Sequence, residues 1–250
     1  MESTLHRQLK ALYGGPSGEQ EVRVGDYWID AVVRGRLIEI QRASLSAIRG
    51  KIATLLQSHR VTIVKPLAAR TFIVRREQAN GEIISSRYSP LRRSILNVFE
   101  ELVYFGDVFP HPRLTFEIVM IEQEEHRVTR RKRRFNGPDF KVEDRVLREV
   151  HSTHTFRTTK DLAALLPDSL SSPFTSADLA AQAEIPRWLA QKMVYCLRKI
   201  GAIEATGKAK NSILYATRRR RRSAAEDGPS CPSGLQLRRA ASKVLPKIEA

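Results

Sequence analysis

The sequence predicts an α/β domain with a mixed sheet and flanking helices over residues 1–125, followed by a mostly helical domain over 140–217. Three observations predict it. Runs with a two-residue period, Glu19–Val24, Tyr27–Val33 and Arg36–Gln41, are separated by the two-residue gaps Gly25-Asp26 and Arg34-Gly35, the signature of β-hairpins. Leu45, Ile48, Ile52, Leu55 and Leu56 then recur at helical spacing and lead into the apolar run Val61–Val64, so strand, helix and strand follow one another as in a crossover unit. Beyond residue 175 the apolar positions keep a helical spacing until a final pair of short strands.

In chain order, a helix over Ser3–Leu12 is stopped by Gly14-Gly15-Pro16. The three strands follow, then a helix over Ser46–Gln57, the strands Val61–Val64 and Thr71–Arg76, a helix over Leu96–Phe105 and a late strand Leu114–Ile121. Residues 126–139 read as a basic connector carrying Arg127, Arg130, Arg131, Lys132, Arg133 and Arg134 and closing on Asn136-Gly137-Pro138. Thr175 caps a helix with Leu179, Ala180 and Ala183 inward. Pro186 opens a second helix whose stripe is Leu189, Met193, Leu197 and Ile200, and Gly201 ends it as a left-handed cap. Ala202–Ala205 and Ile213–Thr217 then flank a basic hairpin tip, Gly207 to Asn211. Residues 218–250 open with five arginines, turn small and polar, and read as a disordered tail.

The 250 residues carry a formal net charge of +16. Such an excess of one sign attracts polyanions, nucleic acid before anionic membrane. No apolar run is long enough to span a bilayer and no signal segment precedes Ser3, so the expectation is a cytoplasmic protein with no membrane partner. The two cysteines, Cys196 in a helical apolar stripe and Cys231 in the polar tail, make neither a disulfide framework nor a zinc site. A homo-oligomer is compatible with the sequence, which leaves the state open.

The hairpins align acidic residues. With turns centred on Gly25-Asp26 and Arg34-Gly35, paired positions sum to 51 and 69. Glu21 then faces Asp30, and Asp30 faces Glu39; Gln41 shares their side, while Ile29, Ala31, Val33, Ile38 and Ile40 form the apolar side. Like charges opposed across strands destabilise a sheet. The row therefore calls for a cation, a shared proton or solvent, and a hard divalent ion suits clustered carboxylate oxygens. A wet face with acids paired to nearby arginines is the competing reading. On the first helix Glu2, His6 and Lys10 are four apart and line one face. Glu2 is a candidate further ligand and Lys10 a candidate phosphate contact.

The series Glu2-Ser3, His6, Lys10, Glu21, Ile29-Asp30 and Ile38-Glu39-Ile40-Gln41, with Ser44 following, resembles the PD-(D/E)XK nuclease superfamily. More narrowly it is similar to competence-protein CoiA-type nucleases, where E-x-Q replaces E-x-K. The resemblance implies a restriction-endonuclease-like fold and Mg²⁺ or Mn²⁺ held by Asp30, Glu39 and the main-chain carbonyl of Ile40, for phosphodiester hydrolysis. Gln41 departs from the superfamily's lysine; it offers hydrogen bonds but no charge. Lys51, Arg49 and Lys65 are candidates to supply that charge. The patch Ser85–Arg93 reads either as a phosphate contact or as a solvated loop.

The C-terminal order of helix, turn, helix and hairpin resembles a winged helix-turn-helix. That resemblance implies a second helix in the major groove and a hairpin on phosphate, with Arg187, Gln191, Lys192, Arg198, Lys208 and Lys210 as DNA contacts and Trp188 as packing. The expected function is a metal-dependent DNA endonuclease targeted by a winged helix. The alternative is a non-catalytic DNA-binding protein or transcriptional regulator with a degenerate nuclease-like domain, or a winged helix that docks on protein.

Overall fold

A computed structural model describes residues 2–16, 18–79, 81–130 and 137–217. The expected tail 218–250 and residues 131–136 of the expected connector lie outside them. The architecture is mixed α/β, a mixed seven-stranded sheet with flanking helices.

Helix α1, Thr4–Gly14, starts where Ser3 accepts the His6 N–H. Strands β1 (Glu19–Val24), β2 (Tyr27–Val33) and β3 (Arg36–Ile40) follow as two antiparallel hairpins in the expected registers: Val24 pairs Tyr27, and Val33 pairs Arg36. Arg34 and Gly35 both have positive φ, 50° and 70°, the backbone of the mirror-image turn that matches strand twist. Helix α2, Arg49–Leu55, carries the chain over to β4, Arg60–Arg76, which runs parallel to β3. The expected crossover is thus present.

Beyond β4 the expectations need correction. Residues 60–76 form one strand rather than two, because β6 (Leu114–Thr129) runs parallel beside nearly its whole length. Val64 turns its carbonyl to the β3 side, where it accepts the Gln41 N–H at 2.9 Å. By alternation Pro66 faces that side too, past the end of β3, so no ladder bond is lost there. The patch Ser85–Arg93 is partly strand: β5, Ile83–Tyr88, pairs antiparallel with the far half of β4. Helix α3, Val98–Leu102, is shorter than the expected 96–105.

The largest correction is β7, Phe140–Phe156, a 17-residue strand antiparallel to β6 where helix was expected. The sheet therefore continues through the boundary drawn at 125. Residues 126–129 end β6, and the connector is a strand-to-strand link. Helices α4 (Thr159–Ala163), α5 (Ser176–Gln182) and α6 (Arg187–Lys199) follow, then the hairpin β8 (Ile203–Ala209) and β9 (Ser212–Thr217). The Thr175 cap holds in the expected form, bonded to the Ala177 and Asp178 N–H groups. Gly201 at φ 74° follows the end of α6. The hairpin turns at Lys210-Asn211, so Lys208 stands on a strand opposite Ile213 rather than at the tip.

Two cores hold these parts. On one face of the sheet Leu5 and Leu9 of α1 pack on Ala31, Ile38, Ile40, Val64, Val119 and Ile121. On the other, one continuous cluster joins Leu37, Ile52, Ile63, Phe99 and Phe116 to Met193, Leu197 and Tyr215. Each such large side chain contributes about 1.5–3 kcal/mol on burial, so the helical segment shares the sheet's core and residues 1–217 are not two separately cored domains. No helix among the described residues is long and apolar enough to cross a membrane.

Candidate active site

Helix α1 is fixed at both ends of its first two turns. Asp144 on β7 accepts the Thr4 N–H at 2.9 Å, and Gln8 accepts the Leu147 N–H at 2.8 Å. This holds Glu2, His6 and Lys10 over one end of the hairpins, beside a cavity of about 770 Å³ that Asp30, Glu21 and Gln41 also line.

His6 Nε2 lies 2.9 Å from Asp30 Oδ1 and 3.5 Å from Glu2 Oε1. An ionised carboxylate only accepts, so Nε2 carries a proton here. Asp30 Oδ2 accepts the Ile40 N–H at 2.7 Å, tying the aspartate to the E-x-Q strand. Burial alone would raise the Asp30 pKa. The bonds from His6 and Ile40, with the His6 and Lys10 charges, outweigh it and hold the carboxyl below its usual range.

Glu39 is buried and meets Lys51 of α2, whose Nζ stands 2.6 Å from Oε2 and 2.5 Å from the Trp28 carbonyl. Burial raises the Glu39 pKa; repulsion from Asp30 adds to it, and Lys51 only partly offsets both. The neighbouring carboxylates are thus pushed apart in acidity.

The expected one-sided row is corrected: Asp30 is held by His6 of α1, which packs on the Ile38 and Ile40 core, whereas Glu39 is held by Lys51 of α2, which packs on the opposite core. The row's apolar side is also corrected. Ala31, Val33, Ile38 and Ile40 pack with α1, but Ile29 joins the opposite core. The strict alternation fails at Asp30, opposite the point where Glu21 takes a left-handed φ of 54° in β1. Glu21 is thereby committed to Lys10, at 2.8 Å, and Lys10 also pairs with Glu2 at 2.6 Å. Burial would lower the Lys10 pKa, yet its bonds and attraction to Glu2 and Glu21 raise it. Lys10, 5% exposed, lines the cavity and holds these acids.

Gln41 turns its amide to the Ser44 carbonyl at 2.9 Å. Of the candidate replacement cations, Lys65 is buried on Glu101, at 3.0 Å, and on the carbonyls of Arg42 and Ala43. Among the described residues, Lys51 is the one of the three that bonds a residue of the acidic row, Glu39 at 2.6 Å. The oxygen donors of Asp30, Glu39 and Ile40 suit a hard divalent ion that keeps several waters. Among the described residues no three His, Cys, Asp or Glu side chains form a metal-holding group. Asp30, Glu39 and the Ile40 carbonyl are oxygen donors of the class such an ion takes, while Glu2 and Glu21 are engaged by Lys10.

On α6, Arg187, Gln191 and Arg198 are exposed, as are Lys208 and Lys210 on the hairpin. Lys192 is half-buried, 3.7 Å from Glu100 and 4.9 Å from the Trp188 ring centre. Trp188, expected to pack, is 47% exposed. His6, which spacing placed on the helix face without a role, is bonded to Asp30, and Lys51, one of three candidates for the missing charge, is bonded to Glu39.

The chain belongs to the family DUF8091, described as a domain of unknown function, which matches residues 3–157. The match ends one residue past β7, the last strand of the sheet. The chain is 32% identical over 180 residues to a protein of Treponema pallidum (strain Nichols) described as uncharacterized, covering 72% of this chain and 71% of that protein. No solved structure matches.

Proposed function

We propose that this protein is a metal-dependent DNA endonuclease of the PD-(D/E)XK type, with a restriction-endonuclease-like core and a winged helix built from α5, α6, β8 and β9. The observation that carries the reading is the bond from the Ile40 N–H to Asp30, which joins the aspartate to the E-x-Q strand while Lys51 stands on Glu39. Asp30, Glu39 and the Ile40 carbonyl would hold Mg²⁺ or Mn²⁺. The ion, when bound, polarises a phosphoryl oxygen and lowers the pKa of its water. Lys51 supplies the positive charge that Gln41 lacks, His6 orients Asp30, and Lys10 neutralises Glu2 and Glu21.

A non-catalytic DNA-binding protein or regulator is the second reading, and it is favoured by the Gln41 amide being engaged by the Ser44 carbonyl. Cleavage of single- and double-stranded DNA by the full chain, with Mg²⁺, Mn²⁺ and EDTA, decides between them. The endonuclease reading expects metal-dependent cleavage that Asp30→Ala with Glu39→Ala abolishes. No cleavage under any metal condition, with DNA binding intact, sinks it in favour of the second.

A further inference from the structure

A second cavity, of about 320 Å³, lies along β4 past the end of β3. Arg42 and Arg145 line both it and the cavity that holds the acids. Arg42 bonds Ser3 with one guanidinium nitrogen, and Arg145 reaches Glu125 at 2.8 Å. Half-burial and repulsion from Arg145 lower the Arg42 pKa. Asp144 and Glu125 offset part of that repulsion, and an anion accepting hydrogen bonds from both guanidinium groups, such as a phosphodiester, would offset more.

At the rim of the first cavity stands Trp28, 65% exposed. Its carbonyl is held by Lys51, so its backbone is fixed to the same lysine that meets Glu39. Its cross-strand neighbour on β1, Arg23, is exposed as well. An open indole beside a cation is a platform for a nucleobase. Inside a duplex both faces of each base are already stacked, so away from duplex ends an unpaired base is what can use it.

Resting on the nuclease reading of the same site, we propose that the two cavities bordered by Arg42 and Arg145 take a single strand of nucleic acid, with an unpaired base on Trp28 and its backbone phosphates on Arg42 and Arg145. The winged helix then serves duplex, and the sheet serves the strand that leaves it.

The chain has two tryptophans, so in a full-length Trp188→Phe background the indole signal comes from Trp28. Titration in EDTA with a single-stranded oligodeoxynucleotide should quench that fluorescence saturably; a blunt duplex of the same sequence should bind without quenching it. In the otherwise wild-type chain Trp28→Ala should weaken single-strand binding by about five- to a hundredfold, the usual value of one stacked base, and Arg42→Gln by about tenfold. Neither should change duplex affinity. Equal quenching by duplex, or single-strand affinity unchanged in Trp28→Ala, overturns the proposal. Binding without metal separates the two ideas. Quenching with no cleavage under any metal sinks the nuclease reading and leaves this one standing; cleavage with no Trp28 response does the reverse.

Discussion

The Lys51 ammonium stands 2.6 Å from Glu39 Oε2 and comes from α2, not from the strand that carries the E-x-Q. In the proposed endonuclease, a charge at that point would do from a helix what a lysine two residues after Glu39 would do from the strand. Lys51→Ala should lower the single-turnover cleavage rate by about a hundredfold, the scale of losing one positioned electrostatic group. Gln41→Lys added to it should recover a large part. Melting temperatures taken alongside guard against misfolding, since Glu39 is left buried without its partner. Cleavage unaffected in Lys51→Ala removes the lysine from the mechanism.

Two carboxylates pushed apart in acidity should share a divalent ion and gain stability from it. At a hundred times its dissociation constant an ion stabilises the folded state by about 2.7 kcal/mol, a rise of about 5–10 °C for a domain of this size. Glu39 must lose its proton to take the ion. Because its pKa is raised, the Mg²⁺ or Mn²⁺ shift should shrink on acidification while an ordinary glutamate is still ionised. Asp30→Ala with Glu39→Ala should abolish the shift. A double variant that still responds places the ion elsewhere.

The hairpins were legible because glycine-containing two-residue turns admit one register, and the observed pairs keep the sums 51 and 69. What hid was whatever depends on contact across the fold. Strand β7 shows no apolar alternation, since much of its hold on the sheet is ionic: Arg145 on Glu125, and Arg148 beside Glu122 and Glu124. Residues 140–156 therefore read as the start of the helical domain. The break in alternation at Asp30 lies opposite the left-handed backbone at Glu21, a residue type that does not advertise it. Lys51 is twelve residues from Glu39, a separation that fixes no geometry until α2 packs on the sheet.

Asp144 should couple the site to acid stability. Burial would raise its pKa, but the bonds from Thr4 and the Arg145 N–H, with the nearby His126, lower it. A depressed carboxylate contributes stability above its unfolded pKa and loses it as pH falls through the folded value. Asp144→Ala should therefore destabilise by about 1 kcal/mol at neutral pH, a figure discounted for partial exposure. The difference from wild type should fade below about pH 4, the ordinary aspartate range. Hydrogen exchange should show α1 opening first. A constant difference from pH 7 to pH 2 would mean that packing, and not the charge, holds the helix.

Cys196 offers a check on the shared core. It is buried on α6 with Sγ 3.6 Å from the Phe99 carbonyl, and burial pushes its thiol up to about 12. In a Cys231→Ser background a disulfide reagent at pH 8 should leave Cys196 unmodified until denaturant unfolds the chain. Fast labelling of the native protein would mean that α6 separates readily from α3, as two independent domains would allow.

The proposed winged helix makes a prediction that distinguishes contact from bulk charge. Each phosphate neutralised by a side chain releases counterions, so log affinity falls with log salt by about one unit per contact. Arg187, Arg198, Lys208 and Lys210 are exposed. Lys192 and Lys199 also lie on α6, but they stand 3.7 Å from Glu100 and 2.8 Å from Asp107. A cation already facing a carboxylate displaces fewer counterions from DNA. Lys208→Ala with Lys210→Ala should thus flatten the salt slope of duplex binding by about two units. Lys192→Ala with Lys199→Ala should flatten it by about one unit or less, though both pairs remove the same formal charge. If the two double variants flatten the slope equally, the helix and hairpin act through net charge alone and the contact geometry is wrong. If neither changes it, α6 and the hairpin do not meet DNA, and their exposed Trp188 and Tyr195 mark a surface for another protein.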